Sequence, residues 1–184
     1  MRPMLIVIDM LNDYLDRWPS AERHALVAAV ETLTGAFDAA RRPIVWVRQE
    51  FAPDLSDAFL EMRQNAIRIT IRGTPGCGIV SELTRRPGDG QIVKKRYSAF
   101  FGTDLDRRIA DQAIDTLVLS GLNTHACIRT TAIDAYQRDL AVILPREAIG
   151  SHDKEHAVVS LRYMDGKIAR VLPAQEVAAR VAAG

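Results

Sequence analysis

Three residues with reactive side chains stand at comparable places in this sequence. Asp9 closes the apolar run LIVID, Lys94 closes QIVK, and Cys127 lies in SGLNTHACIRTTAIDAY, just past the run TLVLS. A carboxylate, an ammonium and a thiol gathered in one crevice would supply a proton acceptor, a fixed positive charge and a nucleophile, the set needed to open an acyl bond. Singly, each has a plainer reading. Asp9 can cap the turn after its run, Lys94 can reach solvent, and Cys127 can be a small buried residue. The position of Cys127 adds a physical argument. With Thr124 as N-cap, the thiol falls in the first turn of a helix, where unpaired backbone N–H groups and the helix dipole favour a thiolate. A neighbouring Lys94 would lower its pKa further, and the same N–H groups could hold an oxyanion.

Rival motifs are thin. HDKEH, at 152–156, has the H-x-x-E-H spacing of a zinc-binding helix, but no third ligand accompanies it, and Ser151 or Asp153 capping a helix accounts for the same residues. His125 beside Cys127 gives H-A-C, with no second cysteine pair to complete a zinc site. Cys77, in GTPGCGIVSEL, has no acid or base beside it and reads as a turn residue. The turn after the first run, MLNDYLDRWPS, contains no glycine, so it matches neither the dinucleotide nor the P-loop fingerprint.

The elements that must position these groups alternate along the chain. Short β-branched runs at 5–9, 43–47, 91–94, 116–120, 140–144 and 168–172 are separated by amphipathic stretches at 22–40, 103–112, 124–137, 154–163 and 175–181. Strands apolar on both faces alternating with helices predict an α/β fold: a three-layer α/β/α sandwich on a six-stranded, mainly parallel, doubly wound sheet. The carboxyl ends of such strands border the ligand crevice, which would bring Asp9, Lys94 and Cys127 to one edge. The segment 48–90 breaks the rhythm, and a long irregular insertion of this kind walls a pocket or makes a subunit contact.

A chain of 184 residues, 48% hydrophobic, has the material for one complete core, and we expect a single domain over 1–184. Its 24 basic and 23 acidic residues leave a formal charge of +1, which gives no reason to expect nucleic acid as a partner. No run is long enough to span a bilayer. A cytoplasmic protein with reduced thiols is expected, since a core of this size needs no disulfide.

In its ordered motifs the sequence resembles the isochorismatase-like cysteine hydrolases. The resemblance runs from LIVIDMLNDY through PIVWVRQE, GTPGCGIVSEL and VKKRYSAFFGTDL to SGLNTHACIRTTAIDAYQRDL and SHDKEHAVVSLRYMDGKIARVL. It implies catalytic roles for Asp9, Lys94 and Cys127, with Lys95 the lesser candidate for the lysine. It also implies a cis peptide from Leu122 to Asn123 and an oxyanion hole made by the backbone N–H groups of Asn123 and Cys127. Presence of the cysteine favours hydrolysis of an amide-type C–N bond (amide, carbamoyl, ureido or lactam) through a thioester, without metal or organic cofactor. VRQEFAPDLSD lacks the histidine of the metal site found in family members acting on nicotinamide. Tyr14, Gln49, Tyr97, Phe100 and His125 are the candidate contacts for a small-molecule substrate, and a homo-oligomer, dimer or tetramer, is expected. Two alternatives stand beside this reading: a vinyl ether hydrolase that dispenses with the thiol, and a non-enzymatic, thiol-sensing or binding oligomer.

Overall fold

The computed structural model describes residues 1–184. The first strand, β1 (Pro3–Ile8), is buried along its whole length, as a central strand covered on both faces must be. A short helix α1 (Asn12–Leu15) and a long one, α2 (Ser20–Ala39), lead to β2 (Ile44–Gln49). Beyond α3 (Leu60–Gln64) come β3 (Gly90–Lys94), α4 (Leu105–Asp111) and β4 (Thr116–Leu122). The chain continues through α5 (Arg129–Tyr136), β5 (Ala141–Pro145), β6 (Ile149–Gly150), α6 (Lys154–Met164), β7 (Arg170–Leu172) and α7 (Ala174–Ala182).

All the strand pairings of the sheet are parallel, in the order β3-β2-β1-β4-β5-β7, and β6 pairs with β4 off this path. The expected six strands therefore become seven. The extra one, Ile149–Gly150, is too short to leave a periodic signal. Alternation along β1 divides the core. Leu5 and Val7 face the layer of α2 and α7, while Met4, Ile6 and Ile8 face the layer of α4, α5 and α6. Helix α2 presents Leu26, Val27, Val30, Leu33 and Phe37 to the sheet, and α7 presents Val177, Ala178 and Val181. Both sets follow the helical repeat.

The winding reverses between β1 and β4, so their carboxyl ends flank the switch point where open α/β sheets bind ligands. Gly121 allows the two strand ends to close there. It lies opposite Ile8 in the register, with φ of +103°, and a Cβ at this position would sit 1.9 Å from the Ile8 carbonyl oxygen. The segment expected to be irregular carries α3 and a small core of its own, Phe51, Leu55, Ala58, Met62 and Ile71. It closes on itself where Phe51 N–H donates to Thr70 O at 2.9 Å and Arg72 N–H donates to Phe51 O at 2.8 Å. No helix is long and apolar enough to cross a membrane.

The two helical and strand glycines should respond oppositely to alanine. Gly121→Ala should lower stability by about 3 kcal/mol or more, from backbone strain and overpacking together. Gly35→Ala, inside α2 with nothing within 4 Å of the new Cβ, should raise it by about 0.5–1 kcal/mol. Urea unfolding midpoints of the two variants check both signs.

Candidate functional site

Asp9 follows β1 directly, in the left-handed region at φ 54°, a conformation aspartate tolerates better than most residues. Its own N–H donates to Val47 O at 2.8 Å, and its Oδ1 accepts the Gln49 N–H at 2.7 Å. The carboxylate is thereby fixed over the end of β2. Lys94, the last residue of β3, reaches across beneath it and is 0% exposed. Its Nζ lies 2.7 Å from Asp9 Oδ2, and it donates to Cys127 Sγ at 3.3 Å and to Arg96 O at 3.2 Å. The ammonium thus has two hydrogen-bond acceptors and a carboxylate ion-pair partner around it. Lys95 points elsewhere, pairing with Asp57 at 2.9 Å and with the Glu50 carbonyl. Strand alternation separates the two lysines.

Cys127 sits differently from the sequence expectation. Asn123, not Thr124, is the N-cap residue, and the chain first makes a π-helical turn over Thr124–Ile128 before α5 begins. Thr124 Oγ1 instead donates to Gly150 O at 3.0 Å, tying β6 to the loop. The peptide from Leu122 to Asn123 is cis. The thiol is nearly enclosed, and burial pushes its pKa up to about 12, which the Lys94 ammonium opposes and the Asp9 carboxylate reinforces. This corrects the expectation of a readily ionised thiol, which took the helix start and the lysine into account but not the desolvation. Burial acts to lower the Lys94 pKa, but the Asp9 carboxylate and the Cys127 sulfur outweigh it and the net direction is up.

Of the three groups Cys127 reaches a cavity of about 490 Å³, which Tyr14, Gln49, Tyr97, Asn123 and His125 also help to line, while Asp9 and Lys94 lie buried behind the thiol. Tyr14 OH donates to Gln49 Oε1 at 2.5 Å. Burial and then the Asp9 charge raise the Tyr14 pKa, so the phenol keeps its proton and acts as the donor. His125 Nδ1 pairs with Ser151 Oγ at 2.5 Å, and burial, followed by the neighbouring His152, lowers its pKa. Phe100 is a correction: it is buried in the core and lies under the Arg138 guanidinium at 4.3 Å, away from the cavity. Its neighbour in sequence, Phe101, is exposed, and strand-end position alone could not tell a core aromatic from a lining one.

Several lining residues had no sequence signal. Phe59, Met62, Ile67 and Ile69 come from the 48–90 segment and wall the cavity, but their spacing there is irregular. Asp13 fastens that segment to α1 by accepting the Thr70 N–H at 2.6 Å. His152 reaches the cavity from the HDKEH stretch and pairs with Asn123 Oδ1 at 3.3 Å. Asp153 caps α6 by accepting the His156 N–H at 2.9 Å, which is the capping explanation of that motif. No group of three His, Cys, Asp or Glu side chains is arranged to hold a metal ion. Cys77 is buried in a tight turn, Pro75–Cys77, where its Sγ donates to Thr74 O at 3.3 Å.

A family model described as "Isochorismatase domain" matches residues 3–176. The chain belongs to the isochorismatase family of hydrolases. Maleamate amidohydrolase of Pseudomonas putida is 29% identical over 182 residues, 95% of this chain and 84% of that protein. A probable isochorismatase of Pseudomonas chlororaphis is 36% identical over 99 residues, and this match takes in 54% of the chain and 48% of the relative. The crystal structure of N-carbamoylsarcosine amidase from Thermoplasma acidophilum superposes with a TM-score of 0.82 at 28% identity, over 95% of this chain and 97% of that one. The isochorismatase-family fold thus accommodates this chain over nearly its whole length.

The enclosed thiol has a measurable pH signature. Unfolded, it ionises near 9; folded, it holds its proton to about 12. Above pH 9 the unfolded state therefore releases a proton that the folded state keeps, and stability falls with rising pH at up to about 1.4 kcal/mol per unit for this one group. Below pH 9 the thiol contributes no slope. Lys94, also raised, steepens the fall above its ordinary value of 10.5. Urea midpoints across this range should show the decline, with the thiol's share absent in Cys127→Ala. Alkylation of the Cys127 peptide by iodoacetamide, followed by mass spectrometry, should be slow at pH 7 and accelerate steadily toward alkaline pH.

Proposed function

We propose that this isochorismatase-family hydrolase cleaves an amide-type C–N bond of a small molecule, with Cys127 as nucleophile and a thioester intermediate. The observation that carries the reading is the buried contact set: Lys94 Nζ at 2.7 Å from Asp9 and 3.3 Å from Cys127 Sγ, at the floor of an open cavity. Amidohydrolase names among the relatives, over most of the chain, support the same bond class.

The raised thiol pKa fits this chemistry. Asp9, Lys94 and a neutral Cys127 together carry no net charge. Losing the thiol proton to solvent would leave a buried net negative charge, which burial opposes. Passing the proton to Asp9 leaves thiolate, ammonium and carboxylic acid, again with no net charge. The thiolate therefore forms by internal transfer as the substrate carbonyl arrives, with Lys94 close enough to stabilise it. Sulfur adds to the carbonyl carbon, and the oxyanion takes hydrogen bonds from the backbone N–H groups of Asn123 and Cys127. As the tetrahedral intermediate collapses, the C–N bond breaks and Asp9 returns its proton to the departing amine or ammonia. Asp9 then deprotonates a water that attacks the thioester, and the thiol is regenerated with the acid product. None of these steps calls on a metal or organic cofactor.

The decisive test is ammonia release from a panel of amides, carbamoyl and ureido compounds and lactams. Cys127→Ala should lower kcat/KM by more than about 10³-fold while leaving the fold intact by circular dichroism. Turnover in that variant at the wild-type rate would sink the cysteine mechanism. Asp9-dependent, cysteine-independent turnover of a vinyl ether would instead identify the reaction suggested by the name of the P. chlororaphis relative. Asp9→Asn and Lys94→Met should also abolish turnover, and each should cost about 3–5 kcal/mol of stability because it leaves a buried charge without its partner. Comparing their urea midpoints with that of Cys127→Ala separates the two effects.

A further inference from the structure

We infer that the site takes an uncharged amide with an apolar body, in preference to a small amide that also bears a carboxylate. This rests on the cysteine amidohydrolase reading and concerns which molecules that site accepts. One wall of the cavity is apolar, formed by Phe59, Leu60, Met62, Ile67, Ile69 and Tyr97. Three of these remain exposed at the rim, Leu60 at 61%, Tyr97 at 48% and Ile69 at 37%. Apolar surface gathered around a concave site is what an apolar ligand would cover.

No lysine or arginine lines the cavity. The cations nearest in sequence to the floor make contacts elsewhere: Arg48, beside Gln49, pairs with Glu50 at 2.8 Å, and Arg129 lies over the Tyr163 ring at 5.1 Å. Lys94 is paired with Asp9 and donates to Cys127 and the Arg96 carbonyl, and Lys95 is held by Asp57. Arg96 turns into the loop, donating to Asp57 O at 2.9 Å with its guanidinium 5.2 Å from the Phe59 ring. His125 is kept neutral by burial and by its histidine neighbour. The acid Glu61 lies at the mouth, where it would repel an anion. A carboxylate drawn into such a cavity would lose its water without gaining a lysine or arginine partner.

The floor supplies a neutral partner instead. Gln49 is 3% exposed, and its Nε2 has no hydrogen-bond partner in the protein. Because Tyr14 donates, the Gln49 oxygen faces Tyr14 and the amide nitrogen is left as a buried donor beside the cavity. A carbonyl oxygen or a ring nitrogen of the substrate would satisfy it. Maleamate and N-carbamoylsarcosine, which name two of the relatives, both carry a carboxylate, so on this reading the chain departs from them in substrate charge.

Calorimetric titration of Cys127→Ala with matched pairs tests the inference: benzamide against 4-carbamoylbenzoate, and hexanamide against adipamate. The neutral member of each pair should bind at least about 10-fold tighter than the anionic one. In the Cys127→Ala/Ile69→Arg double variant, a cation added at the exposed rim should tighten binding of the anionic members by about 10-fold. Equal or tighter binding of the anionic members to Cys127→Ala, or no detectable binding of any member, overturns the inference. Ammonia release by the wild type is read separately. A neutral amide that binds but is not hydrolysed supports this substrate class and counts against the amidohydrolase reading.

Discussion

A lysine ammonium with no exposed surface constrains everything around it. Lys94 can remain charged at the end of β3 only because the Asp9 carboxylate pairs with it and the Arg96 carbonyl and the Cys127 sulfur accept its hydrogen bonds. An unpaired charge at such a depth would be discharged or would destabilise the fold by several kcal/mol. The pair also sets the resting chemistry of the thiol. Because the ammonium is already neutralised by Asp9, its pull on Cys127 does not overcome burial, and the sulfur waits as a thiol. A sulfur held as a thiol is a poor nucleophile toward passing electrophiles.

The backbone brings these groups within reach by close approach at the switch point. Gly121 has no side chain to hold the end of β4 away from Ile8, and Asp9 follows at once in a left-handed turn. The cis peptide and the π-helical turn then lead from β4 to Cys127. Each feature departs from regular strand or helix geometry, and they fall together at the carboxyl edge where the sheet exposes its crevice. The 48–90 segment supplies the other side of the cavity as a small folded unit with its own apolar cluster, fastened to α1 by Asp13 and to Lys95 by Asp57. A wall held at such points can present apolar side chains without collapsing onto the thiol.

Much of this architecture was legible in the sequence. β-branched runs alternating with amphipathic helices prescribe a covered parallel sheet, because strands apolar on both faces have no other way to be buried. All six runs are strands of the sheet, and Asp9, Lys94 and Cys127 meet at one edge because parallel strands carry their carboxyl ends there together. Residue type and strand-end position pointed to that edge; the same criterion reached Tyr14, Gln49, Tyr97 and His125 at the cavity but also Phe100, which lies in the core.

Other features were decided only by the tertiary structure. Desolvation depends on what surrounds an atom in space, so the raised Cys127 pKa had no local signature and a helix-start argument gave the opposite sign. Phe100 and Phe101 are adjacent and alike in sequence, yet one is core and the other exposed. The two-residue strand β6 is held by its pairing with β4, not by any pattern of its own. The apolar cavity wall and the absence of lysine and arginine from the lining arise from contacts between distant segments. Local pattern determines which elements form and where their ends lie; charge, burial and pocket lining are sums over neighbours that only the folded chain brings together.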